Sequence, residues 1–112
     1  MTYWQTIHTE ERDGFKIVLS VAPETDDIDW DFENEEQRQD TIKRINDGRL
    51  SYFMAHVAAI KNHLELAHDY LGGCCYQSTD EFINEPDGYF QDMVSTVIRE
   101  AKDNIKQLCE AA

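Results

Sequence analysis

The stretch EERDGFKIVLSVAP, at residues 10–23, contains a turn signal followed directly by a strand pattern. Asp13-Gly14 indicates a tight hairpin turn, because glycine tolerates the positive φ that such turns require. Alternate residues after the turn are apolar and share one face of a strand, namely Phe15, Ile17, Leu19 and Val21. β-Branched and aromatic residues are also frequent from Tyr3 to Glu11. The sequence thus predicts an antiparallel hairpin of strands 3–11 and 15–22, the second of which ends at Pro23.

A second hairpin is predicted farther along the chain. The apolar run LSYFMAHVAAI (50–60) is followed by Lys61-Asn62 and by HLELAHDYL (63–71). In the latter, alternation places four residues on one side of a strand: Leu64, Leu66, His68 and Tyr70. Helical spacing leaves a helix as the alternative interpretation, through Ile60, Leu64, Ala67 and Leu71. We expect a hairpin that turns at Lys61-Asn62 and whose second strand ends at Gly72-Gly73.

Three helices are expected from capping signals and apolar periodicity. Asn34 is a suitable N-cap and Asp47-Gly48 a suitable C-terminal stop for the first helix. This helix directs Ile42 and Ile45 inward, and its apolar face is so narrow that it should lie on the surface of the sheet. The capping box Ser78-x-x-Glu81 starts a short second helix. The last helix has apolar residues at i, i+3 and i+4 spacing: Phe90, Met93, Val94, Val97, Ile98, Ala101, Ile105 and Leu108.

The segment TDDIDWDFEN, from Thr25 to Asn34, alternates apolar and acidic residues. Ile28, Trp30 and Phe32 fall at every second position, which predicts a short strand that is apolar on one face. The alternative is a loop held by three apolar anchors. Together the elements predict an α+β fold in one domain, residues 1–112. We expect an antiparallel sheet of two hairpins plus the short acidic strand, covered on one face by two to three helices.

Composition excludes several functional classes. The 112 residues include 23 acidic and 10 basic ones, for a net charge of −13 and a pI near 4.4. Direct binding of nucleic acid or of an anionic membrane requires clustered lysine and arginine, so neither is expected. No apolar run approaches the ~20 residues of a membrane span, and the polar first residues do not form a signal peptide. Three cysteines, two of them adjacent (Cys74 and Cys75), indicate reduced thiols and a cytoplasmic protein.

Negative charge is concentrated between Glu24 and Asp40. This stretch has nine acidic residues against Arg38, a charge of −8 within 17 residues. On a strand, alternate carboxylates form a row with a repeat of about 6.6 Å, which resembles the spacing of successive phosphates in a nucleic acid strand. Such a row suits a basic surface on a nucleic-acid-binding protein or complex. The residues predicted to bind this partner are Asp26, Asp27, Asp29, Trp30, Asp31, Glu33, Glu35 and Glu36.

The same charges also have a purely structural interpretation. A solvated edge strand uses charged side chains to prevent edge-to-edge pairing with another molecule. A second acidic group adds a charge of −5 with no base between its members, which are Asp80, Glu81, Glu85, Asp87 and Asp92. Favourable interaction of acids with helix N-termini explains part of this second group. The sequence does not define an oligomeric state.

Neither a metal site nor a catalytic site is predicted. The acidic segment superficially resembles a calcium loop, but Phe32 and Arg38 occupy the positions that require glycine and glutamate. The residues able to bind zinc lack CxxC or HxxxH spacing; they are His56, His63, His68, Cys74, Cys75 and Cys109. One of the adjacent cysteines with a histidine base (His56 or His68) would form a thiolate nucleophile. The alternative is two small buried thiols behind a tight turn, and we expect no cofactor.

Three segments carry a resemblance to known proteins: RINDGRLSYFMAHVAAI (44–60), DYLGGCCY (69–76) and GYFQDMVSTVIREAK (88–102). They resemble small proteins of phages, plasmids and other bacterial mobile elements over residues 40–105. The resemblance assigns no activity and no catalytic residue. Small acidic proteins of this origin are often inhibitors of host defence, of the anti-CRISPR or anti-restriction kind, and some of them mimic DNA. By this analogy the resemblance implies a protein that acts in the cytoplasm of a bacterial host cell.

The predicted function is inhibition by occupation of a partner's surface. An acidic, DNA-mimicking surface would bind a basic, nucleic-acid-binding effector of a host defence system. Two alternatives stay open at this point. One is an accessory or structural protein of a mobile element with no catalytic role. The other is a small thiol-dependent enzyme centred on Cys74, Cys75 and His68.

Overall fold

Four strands and three helices make up the fold in a computed structural model that describes residues 4–24 and 34–111. The strands form one antiparallel sheet in the order β1-β2-β3-β4, so neighbours in the sheet are also neighbours in sequence. The elements are β1 Gln5–Arg12, β2 Phe15–Pro23, α1 Glu35–Asn46, β3 Ser51–Lys61, β4 Leu64–Tyr76, α2 Thr79–Asn84 and α3 Tyr89–Ala111. The predicted α+β class with an antiparallel sheet is confirmed. The predicted acidic strand, residues 25–34, falls almost entirely outside the described residues.

Both predicted hairpins are present. The first turns at Asp13-Gly14, where both residues have positive φ (55° and 84°), as two-residue turns of the primed types require. The second turns at Asn62-His63, with φ values of 53° and 65°, one residue later than predicted. Lys61 instead pairs with Leu64 and is the last residue of β3. The helical alternative for residues 50–71 is therefore wrong.

The prediction that Gly72-Gly73 ends a strand is wrong, because β4 continues to Tyr76. The pairing between β3 and β4 shifts at this point, from Ala55 opposite Leu71 to Phe53 opposite Cys74. Gly73 adopts a φ of 66°, which glycine tolerates without steric cost. The two glycines therefore form a β-bulge rather than a strand end, and the pairing resumes beyond them because β3 still offers unpaired backbone groups.

A second bulge in β4 changes which side chains share a face. Ala59 pairs with Ala67, whereas Ile60 pairs with Glu65, so Leu66 is the extra residue. An extra residue inverts the alternation along a strand. Leu66 consequently packs against the hydrophobic core, and Glu65 lies on the same side of the sheet as His68. The prediction that Leu64, Leu66, His68 and Tyr70 share one side is correct only for His68 and Tyr70.

The predicted helix caps are confirmed. Asn34 Oδ1 accepts a hydrogen bond from the backbone N–H of Gln37 (2.9 Å), so α1 begins where the sequence predicts. At its end, Gly48 has a φ of 78°, as expected for a helix C-terminus. Ser78 Oγ accepts from the backbone N–H of Glu81 (3.2 Å) and caps α2.

One face of the sheet packs against α2 and α3 to form the hydrophobic core. Its buried members are Phe15, Ile17, Leu19, Phe53, Ala55, Val57, Ala59, Cys74, Phe82, Phe90, Met93, Val94, Val97, Ile98 and Ala101. Helix α1 has no buried residue, and its two isoleucines, Ile42 and Ile45, are only half-buried. Two isoleucines provide too little apolar area to bury a helix of twelve residues. Helices α2 and α3 therefore stabilise the sheet, and α1 is peripheral.

Candidate functional sites

The predicted acidic binding residues are only partly described by the structure. Six of them lie outside the described residues: Asp26, Asp27, Asp29, Trp30, Asp31 and Glu33. Glu35 and Glu36 are exposed in the first turn of α1. The side-chain amide of Gln39 donates to Glu35 Oε1 (2.8 Å) and, with the Arg38 guanidinium, holds the pKa of Glu35 below its ordinary value. This carboxylate is therefore ionised throughout the neutral range.

The acidic stretch begins at a well-fixed position in the sheet. The Glu24 backbone N–H donates to the carbonyl of Tyr52 (3.3 Å), and Glu24 Oε2 accepts from the backbone N–H of Gly73 (2.8 Å). These two bonds hold Glu24 against the beginning of β3 and the bulge in β4. After α1 the chain re-enters the sheet at Ser51, the first residue of β3. The chain thus leaves the sheet after Glu24 and re-enters it at Ser51, at the same end of the sheet.

The second acidic group is attached to that same end of the sheet. Ser51 pairs with Tyr76, the last residue of β4, and α2 follows directly. Phe82 of α2 contacts the Phe53 ring edge-on (5.4 Å between centroids) and is fully buried. The Tyr76 hydroxyl donates to Glu85 Oε2 (2.9 Å); burial and this bond raise the pKa of Tyr76. Glu24, the first residue of one acidic group, and Glu85 of the other therefore lie at one end of the sheet, here called the acidic end.

Charge is unequally distributed over the molecule. Residues 24–40 carry −8 and residues 80–92 carry −5, which together equal the net charge of −13 for the whole chain. The remaining residues are balanced, with nine acids and nine bases. At the opposite end of the sheet, next to the two hairpin turns, Lys102 pairs with Asp13 (3.4 Å) and Lys61 lies over the Phe15 ring. The acidic end is thus the only strongly charged part of the sequence.

An open depression also lies at the acidic end. Its volume is about 540 Å³, and its walls come from the end of β4, from α1 and from the start of α3. The residues that line it include Thr41, Leu50, Gly73 and Tyr89, the last of which is 60% exposed. The rest of its lining comes from Leu71, Gly72, Cys74, Cys75 and Tyr76.

On the sheet face away from the core, here called the open face, aromatic and histidine rings form a cluster. His56 of β3 pairs with Tyr70 of β4, and their ring centroids are 4.6 Å apart. Trp4 contacts both rings edge-on, at 5.9 Å from each. His68 meets His56 at 5.4 Å between centroids. Tyr70 is 59% exposed, so this cluster faces solvent.

Three metal-ligating side chains of the open face converge. His56 Nε2 and His68 Nδ1 are 3.3 Å apart, and His68 Nδ1 is 3.9 Å from Glu65 Oε2. One ligand atom from each of these residues lies within 4.8 Å of the others. Burial lowers the pKa of His56, which keeps its imidazole neutral near pH 7. The sequence identified both histidines as possible ligands but missed Glu65, since the bulge that brings it to this face has no local signal.

The adjacent cysteines lack the environment of a nucleophile. Cys74 is buried in the core, where its Sγ–H donates to the carbonyl of Leu71 (3.5 Å). Burial raises the pKa of Cys74 to about 12 and also raises that of Cys75. Both thiols are therefore neutral at pH 7. His68, the proposed base, lies on the open face, whereas Cys74 points into the core. A thiol-dependent enzyme that uses Cys74 is thus not favoured by this geometry.

Comparisons with protein families, with curated proteins and with solved structures find no match to this chain. The resemblance to mobile-element proteins therefore stays an expectation from the sequence. No helix in the described part of the chain has the length and hydropathy needed to cross a bilayer. The function must accordingly be argued from the charge distribution and from the side chains of the two surfaces described above.

Proposed function

We propose that this protein binds a basic protein partner through its acidic end and acts by occupying the partner's surface. The observation that carries the proposal is the attachment of both acidic groups to one end of the sheet. Glu24 is held there by Gly73, and Glu85 by Tyr76. Charge fixed at one end of a molecule orients and accelerates encounter with an oppositely charged surface.

The partner that best fits this surface is a nucleic-acid-binding protein. Such proteins carry clustered lysine and arginine that neutralise phosphates, and carboxylates at regular spacing compete for the same groups. The alternation in residues 26–33 supports this choice, as does the total of −13 contributed by the two acidic groups. The biological setting we propose, inhibition of a host defence system in a bacterial cytoplasm, rests on the resemblance described above and on this charge.

The decisive variant neutralises three carboxylates of the acidic segment together: D27N/D29N/D31N. We expect this change to abolish capture of basic nucleic-acid-binding proteins from a bacterial extract, because these charges are the complementary ones. The captured proteins should elute with salt, since exposed charges are screened within about 8 Å at physiological ionic strength. A short DNA duplex should displace them if it occupies the same basic surface.

A matched control separates position from total charge. E11Q/E100Q/D103N removes the same number of negative charges from exposed residues away from the acidic end. We expect this control to retain capture. Equal loss in both variants would show that only total charge matters, and unchanged capture in both would leave the acids a role in solubility, as in an accessory protein. Either result would contradict the proposal.

A further inference from the structure

We propose that His56, His68 and Glu65 form a binding site for a divalent transition-metal ion, with Zn²⁺ as the reference ion, on the open face. The inference concerns a different surface from the acidic end and does not depend on the proposed function. It rests on the convergence of two imidazole nitrogens and one carboxylate oxygen from neighbouring strands.

The spacing of the two nitrogens fits one metal ion. Ligands about 2.05 Å from Zn²⁺ and arranged tetrahedrally are about 3.3 Å apart, and His56 Nε2 is 3.3 Å from His68 Nδ1. Glu65 Oε2 is 3.9 Å from His68 Nδ1, so a small rotation of the exposed Glu65 side chain completes a third ligand position. The fourth position faces solvent and would hold water.

The donor set selects the kind of ion. Imidazole nitrogen binds Zn²⁺, Ni²⁺, Co²⁺ and Cu²⁺ well, whereas Ca²⁺ and Mg²⁺ prefer sites made of oxygen alone. Two histidines with one carboxylate and an open position form the ligand set of several zinc enzymes.

When no metal is bound, the two facing nitrogens share one hydrogen. Two imidazole nitrogens at 3.3 Å repel each other through their lone pairs unless one of them carries a hydrogen. A metal ion takes the place of that shared hydrogen and engages both lone pairs. Tyr70 and Trp4 pack against the His56 ring and limit its rotation, so the metal would meet a partly preorganised ligand.

The strands fix the positions from which the three side chains project. His56 and His68 come from adjacent, paired strands, with His68 opposite Ala58. Glu65 reaches the site because of the bulge at Leu66, without which it would point towards the core side. The bulge thus converts an unremarkable sequence spacing into a three-ligand site.

The test is titration of the untagged full-length protein with Zn²⁺ and with Co²⁺ as a spectroscopic probe, at pH 7. The substitutions Cys75→Ser and Cys109→Ser are made in every sample, so that accessible thiols do not compete. We expect one equivalent of Zn²⁺ to bind, and Co²⁺ to give the intense visible bands of a four- or five-coordinate ion. His56→Gln and His68→Gln should each weaken binding at least tenfold, and Glu65→Gln should weaken it less.

Two controls make the outcome specific. His63→Asn removes a nearby histidine while retaining a residue that tolerates its φ of 65°, and it should leave binding unchanged. The triple variant D27N/D29N/D31N should also bind Zn²⁺ normally. Loss of binding in that variant would assign the metal to the acidic segment and overturn the proposal, as would Zn²⁺ affinity that survives both His56→Gln and His68→Gln. Circular dichroism confirms that each variant is folded. Because His68 is exposed, its substitution should disturb the fold least.

Discussion

Cys74 is a buried thiol at the point where β4 resumes its pairing with β3 after the glycine bulge. Its environment disfavours the thiolate, because burial removes water and the nearby Glu24 carboxylate repels negative charge. The residue therefore contributes to stability as an apolar side chain. A cysteine pair beside a glycine turn suggests a reactive thiolate, and the environment of Cys74 indicates the opposite.

The raised pKa of Cys74 predicts a specific alkaline sensitivity. The unfolded chain releases the thiol proton near pH 9, whereas the folded protein retains it up to about pH 12. Above pH 9 the unfolded state thus binds fewer protons, so stability is full below this pH and falls as pH rises. We expect the free energy of unfolding to fall by about 1 kcal/mol per pH unit from this group.

Urea unfolding between pH 8 and 11 measures this effect, with Cys74→Ala as the comparison. The variant should be less stable at pH 8, because it leaves a cavity, but its stability should fall less steeply above pH 9. Tyr76, whose pKa is also raised, contributes in the same direction in both proteins. Parallel pH dependences for the two proteins would contradict the assignment to Cys74.

At the scale of elements, substitution of Gly73 in the β4 bulge should measurably lower the free energy of unfolding. Gly73 has a φ of 66°, and a side chain with Cβ is strained there by about 1–2 kcal/mol. Gly73→Ala should therefore reduce the free energy of unfolding by this amount in urea titration. Gly73→Asn should lose less, because asparagine tolerates left-handed backbone. Equal losses would show that contact with the substituted Cβ, rather than backbone strain, sets the cost.

The elements that the sequence predicts well are those with local signals. Asp13-Gly14 specifies its turn through glycine φ, and Asn34 and Ser78 specify helix starts through their side-chain oxygens. The apolar alternation of β2 and the periodicity of α3 correctly identify the core, except for Leu108, which is 59% exposed. Each of these signals acts within a few residues, so no tertiary information is needed to interpret it.

The bulges in β4 could not be predicted in the same way. Whether β4 ends at Gly72-Gly73 depends on whether β3 has backbone groups left to pair beyond them. The extra residue at Leu66 depends on the register between β3 and β4. The composition of the metal cluster follows from the second bulge, so Glu65 was missed although both histidines were considered. For the acidic site the charges are readable in the sequence, and the structure adds that Glu85 lies at the same end of the sheet as Glu24.

At the scale of the whole molecule, uncompensated charge at one end should destabilise the fold at low salt. Like charges in the acidic groups repel one another, and added salt screens this repulsion. Raising ionic strength from about 0.02 M to about 0.3 M, across which screening becomes strong, should raise the melting temperature. The D27N/D29N/D31N variant should gain less from salt than E11Q/E100Q/D103N.

Thermal unfolding followed by circular dichroism at several NaCl concentrations makes the comparison. The opposite result, a melting temperature that falls with salt, would show that ion pairs such as Arg12 with Glu10 (2.7 Å) outweigh the repulsion. Repeating the measurement with a neutral osmolyte in place of NaCl separates charge screening from preferential exclusion of the solute. Only charge screening should change the melting temperatures of the two triple variants by different amounts.

Strand β4 is an outer strand of the sheet, and its irregularities limit how other chains can approach it. An outer strand normally offers a continuous row of unpaired N–H and C=O groups to an incoming strand. Here the bulges at Leu66 and Gly72-Gly73 interrupt that row, and Asn104 of α3 already donates to the Leu66 carbonyl (2.6 Å). Regular pairing with β3 is limited to residues 64–65, 67–71 and 74–76. This border of the molecule is consequently a poor template for polymerisation, because an incoming strand meets at most five consecutive regular residues.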